Sequence, residues 1–191
     1  LFKLNEIETT VVSKLLIHSE NFLDPLVLDG ENLGLQKVKI NGLNIDNENL
    51  DVTKKSLIIH PSLLPKRNFL LEIQNTICPK TNSSLEGLYI SSNTYCTQCE
   101  AQGFRKITYF LDRPDVMAIF SVRIESNYPV LLSNGNLVNS GPGFAEWLGP
   151  WPKPSYLFAL IAGNLACHND IFCTKSNRKI DLKIFVNPKD I

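Results

Sequence analysis

Residues 95 to 104 read YCTQCEAQGF, and two interleaved pairs there carry side chains able to do chemistry. Cys96 and Cys99 have the Cys-x-x-Cys spacing of a zinc knuckle or a redox dithiol. Gln98 and Glu100 present an amide and a carboxylate two residues apart, and on an extended segment alternate side chains share one side. In that geometry Gln98, Glu100 and Gln102 face one way, while Cys99 and Ala101 face the other and suit close packing.

The metal reading needs more ligands than the chain offers at useful spacing. A structural zinc site takes four ligands, usually a second knuckle or a closely spaced histidine pair. Cys78, Cys167, His168 and Cys173 supply neither, and His18, His60 and His168 stand far apart in sequence. A dithiol switch belongs at a helix N-terminus in a βαβ setting, which the surrounding pattern does not provide. Five cysteines are also too few and too scattered for a disulfide framework, so free, reduced thiols are expected. The neighbours Cys167 and His168 do not make a nucleophile and base, because consecutive strand residues point apart. Asp112 and Asp115 in D-R-P-D read as caps of a short helical turn over residues 113–118, with Arg113 pairing locally.

The elements that must hold these residues are strands. Phe69, Leu71 and Ile73 alternate with Glu72 and Gln74; Phe120, Val122 and Ile124 alternate with Ser121, Arg123 and Glu125. Ile180, Leu182 and Ile184 alternate with Lys179, Asp181 and Lys183, and Val38 and Ile40 repeat the pattern. A period of two sets apolar side chains on one face of a sheet and polar ones on the other. Asp29-Gly30, Asn41-Gly42 and Asn134-Gly135 are hairpin-type dipeptides. Residues 140–155, SGPGFAEWLGPWPKPS, read as an irregular connection that buries Trp147 and Trp151. The expected fold is all-β, an antiparallel β-sandwich or saddle-like sheet assembly with at most short helical turns, in one domain over residues 1–191.

Charge narrows the partners. Nineteen Lys and Arg balance nineteen Asp and Glu in 191 residues, and no basic run exceeds two. Nucleic acid and anionic membrane surfaces are therefore not the expected partners. No apolar run approaches the ~18 residues of a membrane span, and no signal peptide is visible. The opening residue, Leu1, is not methionine and lies in a strand-like stretch, so a piece of a longer protein is expected.

One long block carries a resemblance. LEGLYISSNTYCTQCEAQGFRKITYFLDRPDVMAIFSVRIESNYPVLLSNGN, residues 85–136, resembles the N-terminal domain of the bacterial aminopeptidase N family of zinc exopeptidases. PLVLDGENLGLQKVKING (25–42) and WPKPSYLFALIAGNL (151–165) are similar to that domain's earlier and later strands, so the likeness spans the whole chain. The resemblance implies a β domain that covers a downstream zinc-bearing catalytic domain and forms one wall of its active site. It also implies that Gln98 and Glu100 bind the first residue of a peptide substrate, with Glu100 on the free α-amine. Gln102 departs from the acidic residue common at that position. No His-Glu-x-x-His occurs, so the implied zinc and catalytic residues lie elsewhere in the parent, and this chain alone is expected to hold no zinc and to be inactive. The implied partners are peptide substrates and the chain's own downstream catalytic domain, and the implied location is cytoplasmic. The competing expectation is a stand-alone, non-catalytic β-sandwich binding module.

Overall fold

The computed structural model describes residues 1–18 and 23–191. The first strands are β1 (Phe2–Lys3), β2 (Thr9–Ile17), β3 (Leu26–Asp29), β4 (Gly34–Ile40), β5 (Leu43–Ile45) and β6 (Leu50–Val52). Then follow β7 (Ser56–Ile59), β8 (Phe69–Ile77), β9 (Gly87–Ser91), β10 (Thr94–Gln98), β11 (Ala118–Glu125) and β12 (Val130–Ser133). The last are β13 (Asn136–Gly141), β14 (Phe144–Lys153), β15 (Leu160–Gly163), β16 (Ala166–Cys173) and β17 (Lys179–Val186). Helical structure among the described residues is confined to single 3-10 turns, so the protein is all-β. No helix among them is long and apolar enough to cross a membrane.

An eight-stranded sheet, ordered β13-β14-β11-β1-β2-β8-β4-β5, forms the base. Its β1–β11 pairing is parallel and its other pairings are antiparallel. The period-two pattern explains its two faces. Val11, Leu15, Leu71 and Ile73 point to one side, as their register requires. On the other side Glu72 accepts from Lys14 and Lys39, both at 3.2 Å, in contact with solvent.

Two smaller sheets cover the apolar face. The four-stranded sheet, β12-β15-β10-β9, closes a core containing Phe2, Val11, Tyr95, Phe104, Ile124, Phe158 and Leu160. The three-stranded sheet, β3-β7-β6, closes a second core around Leu28, Val38, Leu57, Ile59, Phe69, Leu71 and Tyr109. Each fully buried Leu, Ile or Phe contributes about 1.5–3 kcal/mol, so both clusters are substantial anchors.

Residues 103–112 run between the two small sheets and join everything. Ile107 enters the first core and Tyr109 the second. The Ile107 carbonyl accepts from buried Asn75 Nδ2 on β8 at 3.0 Å, and Thr108 Oγ1 lies 3.3 Å from Ser13 Oγ on β2. Phe110 exchanges two backbone hydrogen bonds with Asp29 at the end of β3.

Several local expectations are corrected. Of the three dipeptides, Asn41-Gly42 alone is a tight hairpin turn: both residues have positive φ, and Ile40 pairs with Leu43. Asp29-Gly30 and Asn134-Gly135 are instead passages from one sheet to another, because a dipeptide marks a turn without choosing the next strand's partner. Gly30 is there for space, since a Cβ would sit 2.2 Å from the Tyr109 ring. Residues 144–153 form strand β14, not an irregular connection. Pro150 and Pro152 are tolerated because β13 pairs only as far as Leu148, and the pairing with β11 is interrupted there. Trp147 is partly buried and donates Nε1 to the Leu131 carbonyl at 3.1 Å, whereas Trp151 is 79% exposed. The helical turn expected over 113–118 is a single β-turn, closed by Val116 N donating to the Arg113 carbonyl.

Candidate functional site

Strand β10, interior to the four-stranded sheet, carries the candidate residues to its C-terminal end and stops at Gln98, whose register partner is Gly87 at the start of β9. Beyond it the chain turns through residues 99–103, and Gly103 N donates to the Cys99 carbonyl at 2.9 Å. The strict alternation expected through Gln102 therefore ends at Gln98. Gln98 and Glu100 are nevertheless both exposed while Cys99 between them is 1% exposed, so the polar pair and the cysteine do face opposite ways. The backbone N of Glu100 donates to Gln98 Oε1 at 3.3 Å, which ties the pair together. The Glu100–Ala101 peptide bond is cis. Ala101 and Gln102 are exposed as well.

The Cys96–Cys99 pair is not poised as thiolates. Burial, reinforced by the nearby Asp112 carboxylate, pushes the Cys99 thiol up to about 12, and burial also raises Cys96. Neither is a thiolate near neutral pH, the state that nucleophiles and metal ligands require. All five cysteines are free, and among the described residues no group of His, Cys, Asp or Glu is arranged to hold a metal ion. The residues present do not fit a zinc site. Cys167 and His168 both lie on exposed strand β16, and His60 pairs with Asp51 at 2.8 Å.

The electrostatics leave Glu100 available. Glu86, next in sequence to the Gln98 partner Gly87, pairs with Lys106, while Glu100 has no ion-pair partner among the described residues. An exposed carboxylate beside an amide oxygen can accept charge-assisted hydrogen bonds from an ammonium group. The pair stands on an open rim: two surface depressions, lined by Leu4, Tyr95 and Tyr128 and by Asn93, Thr94 and Asn187, include neither Gln98 nor Glu100.

One cluster under the rim escaped the sequence reading. Asp112 is 2% exposed and is no helix cap. Its Oδ2 accepts from Arg105 Nε at 3.0 Å and from Arg105 N at 3.1 Å, while its Oδ1 accepts from Ser155 Oγ at 2.5 Å. Arg105 Nη1 also reaches Asp29 Oδ1 at 3.4 Å. Asp115, by contrast, pairs locally with Arg113 at 2.9 Å, as expected. Ser155 lies 43 residues from Asp112. No local pattern advertises such a contact.

The architecture is an eight-stranded sheet packed against a four- and a three-stranded sheet, with a polar rim at one strand end. The chain belongs to the family described as the Peptidase M1 N-terminal domain, whose model matches residues 2–157. It is 47% identical over 174 residues to the aminopeptidase N of Caulobacter vibrioides, covering 86% of this chain and 20% of that protein. Against the aminopeptidase N of Escherichia coli it is 45% identical over 189 residues, covering 93% of this chain and 21% of that one. The crystal structure of Legionella pneumophila aminopeptidase A in complex with aspartic acid superposes with a TM-score of 0.84 at 34% identity, over 98% of this chain and 23% of that chain. A yeast LTA4 hydrolase, solved with bestatin, shares the fold at a TM-score of 0.74 and 21% identity, over 87% of this chain and 28% of that chain. The chain spans about a fifth of the length of the curated relatives it matches.

Proposed function

We propose that this chain is the substrate-facing N-terminal wall of a zinc metallo-aminopeptidase that removes N-terminal residues from peptides. Gln98 and Glu100 hold the amino end of the substrate, with Glu100 accepting from the free α-ammonium group. The observation that carries the reading is the exposed Gln98–Glu100 pair at the end of β10, free of ion-pair partners and set in a domain of this family. An exopeptidase must detect a charged amine, and a carboxylate in a cleft closed by a second domain does so while fixing the register of cleavage. The zinc of such an enzyme would be held by residues other than these, in the catalytic domain that this chain covers. The five free thiols favour a reducing compartment, and we place the parent in the cytoplasm.

The test is Glu100→Ala in the full-length protein, assayed on a series of aminoacyl anilides. Loss of a charged hydrogen bond should reduce kcat/KM by about 1.5–3 kcal/mol, roughly 10- to 150-fold, chiefly through KM. Unchanged kinetics across the series would remove Glu100 from substrate binding.

A further inference from the structure

The side chains of Gln98 and Glu100 are exposed and only lightly tied, so their placement must come from the backbone beneath them. That backbone is in contact with Gly103. A Cβ at Gly103 would lie 2.5 Å from the Gln98 carbonyl oxygen, 3.0 Å from Cys99 Cα and 3.1 Å from Gly87 N. All three are main-chain atoms and cannot swing aside as a side chain could. The Gly103 dihedrals, φ −84 and ψ −17, are open to any residue. Glycine is needed here for space, not for conformation.

The turn cannot retreat from an added methyl group, because its far side is clamped. Phe104 is 5% exposed and packs edge-on against Phe110 and Phe158, with centroids 5.1 and 5.2 Å away. Arg105 grips Asp112 through N, Nε and, at 2.9 Å to the Asp112 carbonyl, Nη2. Asp112 is gripped in turn by Ser155 and Asp29: Ser155 Oγ donates to its Oδ1, and its own N donates to Asp29 Oδ2 at 3.2 Å. Pressure at Gly103 is therefore relieved toward solvent, through the segment that carries Gln98 and Glu100.

We propose that the turn from Gly103 to Asp112 is the positioning device of the substrate-amine site, with Gly103 and Arg105 as its positioning residues. The inference rests on the reading of Glu100 as the amine-binding carboxylate. Gly103 sets how far the rim stands from the turn, and the Arg105–Asp112 clamp ties the turn to Asp29 at the end of β3 and to Ser155.

The experiment compares Gly103→Ala and Arg105→Lys in the full-length protein, each with and without Glu100→Ala, using aminoacyl anilides as substrates. A misplacement of a fraction of an ångström should raise KM about tenfold in Gly103→Ala and about threefold in Arg105→Lys, with kcat held within about twofold. In the Glu100→Ala background both effects should shrink below about twofold, since residues that act through one group are not additive. If Gly103→Ala fails to fold, Arg105→Lys and its double variant decide the matter. The proposal is overturned if KM does not rise while Glu100→Ala does raise it, or if the full effect persists without Glu100. If Glu100→Ala alone changes nothing, the amine-binding reading falls and takes the positioning role with it.

Discussion

The turn at residues 98–112 and the β16–β17 ribbon both present side chains to solvent, yet they are built in opposite ways. The turn touches two cores and three sheets, and its exposed residues sit on buried neighbours: Cys99, Phe104, Ile107 and Tyr109 are each no more than 5% exposed. The ribbon pairs only with itself, from Ala166↔Val186 to Cys173↔Lys179. Its apolar residues remain open, with Phe172 at 54% and Ile184 at 55% exposed. The difference teaches that alternation makes a strand, but only a second layer makes a face of it into a core. A rim meant to hold a ligand needs that second layer, because a positioned side chain depends on a backbone that does not move.

If the clamped turn is rigid because of its buried ion pair, removing one partner should cost more than anything done to the ribbon. Asp112→Ala removes the shorter of the two ion pairs of Arg105, whose side chain is 15% exposed, and leaves it the 3.4 Å contact to Asp29 and the main-chain carbonyl at 112, while Ser155 Oγ loses its acceptor. Equilibrium urea denaturation of this variant should show a loss of about 1.5–3 kcal/mol, the range for hydrogen bonds to a charged group. A loss under about 1 kcal/mol would mean that the clamp is ornamental and that packing alone holds the turn.

Lys153 sharpens the contrast, being a buried cation that lacks an Asp112. Its Nζ has no hydrogen-bond partner and lies 4.3 Å above the Phe120 ring, a contact that offsets the desolvation only in part. Burial holds its pKa below the ordinary lysine value of 10.5. The folded state thus binds its proton less tightly than the unfolded chain, and stability should rise with pH between the depressed pKa and the ordinary one. Lys153→Met should stabilise the chain by about 1 kcal/mol near neutral pH, the cost of an unsatisfied buried donor. The advantage should narrow as pH rises toward the ordinary lysine value. Denaturation midpoints of both proteins across alkaline pH check this; a gap that widens there contradicts it.

The smallest effect belongs to the ribbon. Ile184→Ser should change the stability of this chain by no more than about 0.5 kcal/mol, since the side chain is already half in water. A larger loss in thermal melts would show that the ribbon packs on the rest of the domain after all.

Much of this was legible in advance. Phe69, Leu71 and Ile73 announced β8 and its buried face, Phe120 to Ile124 announced β11, and Asn41-Gly42 announced the turn that joins β4 to β5. These signals are local: side-chain alternation and positive-φ residues act within a few positions. Gln98 and Glu100 are exposed around a hidden Cys99 as alternation expected, but Ala101, expected to pack beside Cys99, is exposed too, because the strand stops at Gln98 and the chain turns. Proline and glycine misled in 140–155, where their usual meaning as breakers was overridden by pairing with β11 and β13. Asn134-Gly135 misled for a related reason: the dipeptide sets a turn, while the partner of β13 is chosen by a strand that comes later in the chain.

By itself, then, the amino-acid sequence determined that the chain is all-β, where most strands run, and which polar pair stands at the end of β10. Tertiary structure alone decided that Gly103 must be small, that Asp112 is a buried anchor tied to Arg105 and Ser155, and that the apolar stripe of β17 stays uncovered. The reason is physical. Alternation and turn preference are properties of neighbouring residues, whereas space and burial depend on segments far apart in sequence that meet only when the sheets stack.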